Sequence, residues 1–284
     1  NSIYLSQVLV YNYIGDIMKE ILIYVFLGIV QGLTEPLPIS SSGHVFVLKK
    51  LLGITASDLN FEIVVNFGSL LAILLIYKED LIRLIKNFFM YFKVKNEETK
   101  RDFKYCWLIV LGSIPVGIMG LLFKDVIEEK LNNMTIVGVA FLVTSLFLLL
   151  VSNIRGKRKE NDMNIMDSVV IGLTQVVALI PGISRSGSTL IGGLFRKLDR
   201  ETALKYSFML YIPVSVGTTL LGFKDLLETS NLHDIILPYG LGFIASMVVS
   251  YFTLRWFIGV VKKGNLKYFS LYTLILGILI LIFM

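Results

Sequence analysis

Six uninterrupted apolar runs, residues 61–77, 105–123, 134–152, 206–223, 235–259 and 268–284, recur from one end of the chain to the other. Each approaches the roughly 20 residues that an α-helix needs to cross a bilayer core. The segments between them are too short to hold a soluble domain. The sequence therefore predicts an all-α, polytopic membrane helix bundle with six transmembrane helices, and any chemistry must sit inside the bundle or at its surface. Composition agrees: 55% of residues are hydrophobic and mean hydropathy is +0.74, well beyond the usual globular balance.

Two further apolar stretches, residues 21–49 and 165–195, are broken near their middles by proline, glycine and serine. Sliding the chain by 144 residues superposes them: Gly28 on Gly172, Gln31 on Gln175, Ile39 on Ile183, Ser40 on Ser184, Ser42 on Ser186 and Gly43 on Gly187. These identities point to a duplication, with repeat halves at about residues 18–153 and 162–284. Lys and Arg concentrate in residues 78–104, 155–159, 196–205 and 262–267, whereas 124–133 and 224–234 lean acidic. The basic group is expected on the cytoplasmic side. Six crossings satisfy that pattern only if both broken segments are re-entrant helical hairpins, the first entering from outside and the second from inside. Both termini then lie outside, and the halves are inverted-topology repeats whose paired broken segments mark a binding site near the midplane. Lys49 and Lys50, on the outer side, run against this assignment.

Residues 1–17 precede Met18-Lys19-Glu20, which reads like a natural start, and lack the basic region and cleavage site of a signal peptide. They are read as an N-terminal extension of no assigned function, ahead of a single membrane domain over 18–284. The net charge of +6 arises from loops without a basic face or RNA-binding motif, so no nucleic-acid partner is expected. The single cysteine, Cys106, excludes an intramolecular disulfide and reads as packing.

Non-helical backbone at membrane depth must face protein or a water-filled cavity, so the polar centres of the broken segments mark a wet site. In QGLTEPLPISSSGH (residues 31–44), Gln31 and Glu35 share a face of a helix that Pro36 and Pro38 terminate. An ionisable Glu35 in apolar surroundings is a candidate for catalysis or metal binding, set against a buried structural ion pair. Gln31 divides evenly between a ligand role and a bridge between helices. Ser40, Ser41, Ser42 and Gly43 allow successive amides to converge on an anion, although small residues also serve helix packing. His44 adds a base, acid or nucleophile. The other histidine, His233, falls in a polar stretch and reads as solvated surface.

In PGISRSGSTLIGG (residues 181–193), Ser184, Ser186 and Gly187 repeat the anion nest, Thr189 adds a donor, and Arg185 requires either Glu35 or a ligand anion as partner. Convergence of both nests with Arg185, Glu35 and His44 suits phosphate esters or anhydrides, the carboxylate also serving a divalent metal. Asn66, and the Gly and Pro of LGSIPVGIMG (residues 111–120) and YIPVSVG (residues 211–217), could line the cavity or equally serve packing and kinks.

Through QGLTEPLPISSSGH and PGISRSGSTLIGG, with FEIVVNFGSLLA, GSIPVGIMGLLF and YSFMLYIP between and after them, the chain resembles the bacitracin-resistance family of integral membrane undecaprenyl-diphosphatases from about Met18 onward. The resemblance implies hydrolysis of undecaprenyl diphosphate to undecaprenyl phosphate and inorganic phosphate at the outer face of the bacterial plasma membrane, assisted by Mg²⁺ or Ca²⁺. That reaction recycles the lipid carrier for peptidoglycan, and overproduction protects against bacitracin, which sequesters the diphosphate. By position, the resemblance implies Glu35 as the acidic metal or catalytic residue and Ser41 and His44 as catalytic residues of the first motif. It implies Ser184, Arg185 and Thr189 as the phosphate-binding second motif. Gln31 stands where members often carry glutamate, which weakens the case for a two-carboxylate metal site, and Pro36 replaces a common aromatic residue. The attacking group stays open among Ser41, His44 and a water. The acid phosphatase superfamily, with its related PSGH and SR pattern, takes its nucleophile from a histidine after the SR motif. None follows Arg185 before His233, so that mechanism does not transfer. A polyprenyl-phosphate carrier built on the same repeats is the alternative reading. The expected partners are the lipid diphosphate and the bilayer, with the prenyl tail entering sideways between helices; oligomeric state is not legible.

Overall fold

The computed structural model describes residues 2–54, 59–123, 126–127, 130–131, 133–227 and 232–283. Among them the secondary structure is helical, with no strand beyond one isolated bridge between Arg158 and Leu198. The principal helices are α1 (Ser2–Thr34), α2 (Ser41–Leu51), α3 (Leu59–Ile76), α4 (Lys78–Met90), α5 (Glu97–Leu122) and α6 (Met134–Val151). They continue as α7 (Ile165–Val177), α8 (Arg185–Phe195), α9 (Arg200–Leu227), α10 (Leu232–Lys263) and α11 (Leu266–Phe283).

All six apolar runs lie within or nearly within helices. Among the described residues five helices are long and apolar enough to cross a membrane alone, and α3 with α4, bent by 75°, brings the number to six. The bend corrects the sequence reading of residues 78–104 as a basic loop. At Tyr77 the pattern changes from continuously apolar to amphipathic, and α4 buries Leu84 and Asn87 while exposing Ile82, Ile85 and Phe89. A helix with one apolar face and interspersed lysines suits a membrane interface rather than its core. His233 is corrected too: its backbone belongs to the first turn of α10, and its side chain lies outside the described residues. Of the acidic stretches, residues 124–125, 128–129, 132 and 228–231 also lie outside them.

Both broken segments form helix–loop–helix pairs. In the second, α7 has 13 residues and α8 has 11. At about 1.5 Å per residue each is shorter than the ~30 Å hydrocarbon core, so neither can cross alone. In the first, α1 is far longer than its counterpart because the backbone of residues 2–20 continues the same helix. It stops at Thr34 because Pro36 and Pro38 cannot donate the next backbone bonds. Helix α7 starts where Asn164 and Asp167 form a reciprocal capping box. Asp167, fully buried, also receives Arg158 at 2.6 Å and Arg196 at 2.7 Å, pinning the foot of the second segment.

The broken segments are held by close backbone crossings. Helix α1 packs on α10, and α7 packs on α5. A Cβ on Gly28 would run into the Gly242 carbonyl oxygen, and one on Gly172 would stand 2.5 Å from the Gly112 carbonyl oxygen. Since Gly28 and Gly172 are repeat partners, one small-residue crossing is made twice. Gly28→Ala should therefore force α1 off α10 and cost about 1–3 kcal/mol, read as a lowered melting temperature in detergent. Unchanged melting would mean the helices separate freely. Lys49, set against the topology above, is buried and bonded to Glu62 at 2.8 Å. It is an internal pair rather than a loop charge.

Candidate active site

Each broken segment turns at a serine that caps the returning helix. Ser40 Oγ accepts from the Gly43 amide at 3.3 Å, and Ser184 Oγ accepts from the Gly187 amide at 3.1 Å. The two loops also touch. Ser186 Oγ donates to the Leu37 carbonyl at 2.8 Å. A Cβ on Gly43 would lie 3.0 Å from Gly182 Cα, and one on Gly187 would lie 3.4 Å from the Pro38 carbonyl oxygen. Gly182 stands 144 positions after Pro38, so these contacts are repeat equivalents and the duplicated loops meet face to face. Ser40 takes φ 67° and ψ 93°, a left-handed conformation that costs a non-glycine residue of order 1–3 kcal/mol and clusters at functional sites.

Between the loops lies a cavity of about 220 Å³. Its polar wall holds Glu35, Ser40, Ser41, Ser42, Ser184, Arg185 and Ser186, seven of the residues singled out from sequence. Its apolar wall includes Leu37, Val116, Leu179 and Val214. A larger cavity, about 760 Å³, lies at the charged ends of α4 and α9. There Arg83, Lys205, Asp80 and Glu160 neutralise one another, and neither serine-rich loop reaches it.

Glu35 is the hub of the smaller cavity. Its buried carboxylate accepts from Arg185 Nη2 on one oxygen, and from Ser41 Oγ and Gln31 Nε2, the latter at 2.9 Å, on the other. Of the two partners open to Arg185, the structure pairs it with Glu35. The guanidinium also lies 3.6 Å from the centroid of the Tyr211 ring, a close cation–π contact. Tyr211 Oη and Ser215 Oγ donate to Asn66 Oδ1 at 3.1 and 2.6 Å, which fixes the aromatic platform. Asn66 was one of the lesser sequence candidates and does line the cavity.

Other expected residues stand back from it. Gly43 and Gly187 direct their amides to their own capping serines, so they shape the loop approach rather than form an open nest. Thr189 is buried on the far side of α8, where Oγ1 donates to the Arg185 carbonyl at 3.0 Å and meets Ser207. Gln31 acts by holding Glu35. His44 does not line the cavity. Its Nδ1 donates to the Ser40 carbonyl at 2.6 Å, and its Nε2 lies 2.7 Å from Tyr272 Oη, with the two rings stacked. With one ring nitrogen on a carbonyl, the proton belongs at Nδ1 and Tyr272 donates to Nε2. His44 therefore braces the strained Ser40 turn that presents Ser41. Sequence reasoning did not single out Tyr211, Ser215 or Tyr272; their aromatic and small side chains look like lipid-facing or packing residues until the fold places them.

Among the described residues no three His, Cys, Asp or Glu side chains gather as a metal cluster. The donors present are hard oxygens: the Glu35 carboxylate, the Gln31 amide and the Ser41 hydroxyl. That set fits Mg²⁺, which commonly takes one or two carboxylates and completes its shell with water and substrate phosphates.

The sequence model of the family described as "Bacitracin resistance protein BacA" matches residues 24–279. The chain is 47% identical over 264 residues to "Undecaprenyl-diphosphatase 3" of Bacillus anthracis, covering 93% of this chain and 98% of that protein. It is 44% identical over 263 residues to "Undecaprenyl-diphosphatase" of Oceanobacillus iheyensis, covering 92% and 96%. With a family model that spans both serine-rich loops and relatives that are 44–47% identical over more than nine-tenths of the chain, this chain belongs to the bacitracin resistance protein BacA family.

Proposed function

We propose that the chain is an undecaprenyl-diphosphatase, hydrolysing undecaprenyl diphosphate to undecaprenyl phosphate and inorganic phosphate. The observation that carries this reading is Ser41 Oγ bonded to the Glu35 carboxylate, beside Arg185, in a cavity with an apolar wall. A hydroxyl on a carboxylate that is itself oriented by Gln31 and Arg185 is the arrangement of an activated nucleophile. Ser41 Oγ attacks the terminal phosphorus and passes its proton to Glu35. The bond from that phosphorus to the bridging oxygen breaks, and the lipid monophosphate leaves. Water then cleaves the phosphoserine, giving inorganic phosphate and restoring the serine. Arg185 stabilises charge on the transferred group, and the serine hydroxyls of both loops supply further donors. Glu35, with the Gln31 amide oxygen, would hold Mg²⁺ or Ca²⁺, which when bound neutralises phosphate charge. The first prenyl carbons rest on Leu37, Val116 and Val214, with the tail leaving sideways into lipid.

The orientation belongs to the same reading: inverted-topology repeats, hairpins meeting at the midplane, and a site opening to the outer face of the plasma membrane. The twice-made glycine crossing and the paired loop contacts support the repeat, and the basic residues of 78–104, 155–159 and 262–267 support the cytoplasmic assignment. In that setting the reaction returns lipid carrier to peptidoglycan synthesis and removes the target of bacitracin.

The test is phosphate release from a prenyl diphosphate by purified protein in detergent, with and without EDTA. The expected result is release that EDTA abolishes and added Mg²⁺ or Ca²⁺ restores. Folded protein that binds the lipid but liberates no phosphate would instead identify a polyprenyl-phosphate carrier.

A further inference from the structure

Gln175, on α7, lines the same cavity and is 1% exposed, yet neither its Nε2 nor its Oε1 has a hydrogen-bond partner in the protein. The duplication explains the orphan. Its counterpart Gln31 donates to Glu35 four residues later, whereas the residue four after Gln175 is Leu179, whose side chain offers no acceptor. Both amides point from the leading helix of a broken segment, but only the first has an acid to hold. A buried amide with nothing to bond is costly to keep, so a cavity-lining one calls for a partner that enters the cavity. Glutamine is suited to an anion there: Nε2 donates to a phosphate oxygen without adding a charge that Arg185 would repel or Glu35 would capture.

We infer that Gln175 is a substrate-binding residue, its Nε2 donating to a non-bridging phosphate oxygen of the diphosphate held beside Arg185. This rests on the diphosphatase reading above. It gives the second segment a direct contact with the substrate in addition to Arg185, and leaves Gln31 and Gln175, identical in sequence, with different tasks.

Gln175→Met keeps the length of the side chain and removes both polar atoms. Its ligand-free melting temperature in detergent should match or exceed that of the parent, since an unpaired buried amide has been removed. KM for a prenyl diphosphate should rise about tenfold, the effect of losing one hydrogen bond to a charged group, with kcat within about twofold. The thermal stabilisation given by methylenediphosphonate, a non-hydrolysable diphosphate, should weaken in step. Gln175→Glu, which sets a negative charge against the anion, should weaken it further. Unchanged KM and analogue binding in both variants would overturn the assignment. So would a lowered ligand-free melting temperature in both, which would mean that the amide serves the fold. If the parent releases no phosphate while Gln175→Met still weakens analogue binding, the diphosphatase reading fails and the binding role stands.

Discussion

Glu35→Gln should lower kcat for phosphate release by about a thousandfold or more, while metal-free binding of a diphosphate tightens. The carboxylate does two opposing things. It accepts the Ser41 hydroxyl, which a neutral amide cannot deprotonate, so turnover collapses. It also pairs with Arg185, so an incoming phosphate must compete with it for the guanidinium. Removing the charge removes that competitor, so the diphosphonate analogue should bind more tightly when metal is absent, whereas the metal that Glu35 would hold is lost and metal-dependent binding weakens. Steady-state kinetics together with methylenediphosphonate-induced melting shifts measured in EDTA would separate the two effects. Retention of kcat within tenfold would exclude Glu35 as the group that takes the serine proton.

Arg185→Lys should cost about a hundredfold in kcat/KM although the charge is kept. Lysine cannot present a planar fork to phosphate oxygens or lie flat on an aromatic ring. In this chain the guanidinium rests 3.6 Å from the Tyr211 centroid while Nη2 reaches Glu35, so stacking and ion pair together aim it into the cavity. Misplaced charge at the transferring phosphoryl group is worth orders of magnitude in rate. A lysine variant with full kcat/KM would mean that only a point charge is needed.

Much of the site was readable from local pattern. Prolines after Glu35, serines beside glycine, and an arginine in an apolar stretch are each anomalous at membrane depth, and the 144-residue spacing tied them into one place. What the pattern overestimated is also instructive. Gly43 and Gly187 looked like an open amide nest, but a capping serine three residues earlier claims each amide. His44 looked poised for catalysis because histidine chemistry suits it. Its ring instead bridges the Ser40 carbonyl and Tyr272, a residue 228 positions away. Residues 78–104 looked like a loop because lysines dominated the reading, although every third or fourth residue of α4 is apolar.

The sequence by itself determined that the chain is a membrane helix bundle, that two of its apolar segments are broken by proline, glycine and serine, and that those two share a residue pattern 144 positions apart. Those properties follow from hydropathy, proline stereochemistry and spacing, all of which act over neighbouring residues. Tertiary structure alone decided that Arg185 pairs with Glu35, that Tyr211 carries the guanidinium, that Gly28 and Gly172 set the helix crossings, and that Gln175 is left without a partner. Each of those facts depends on which distant surfaces come within a few ångströms, and no periodicity along the chain encodes that distance.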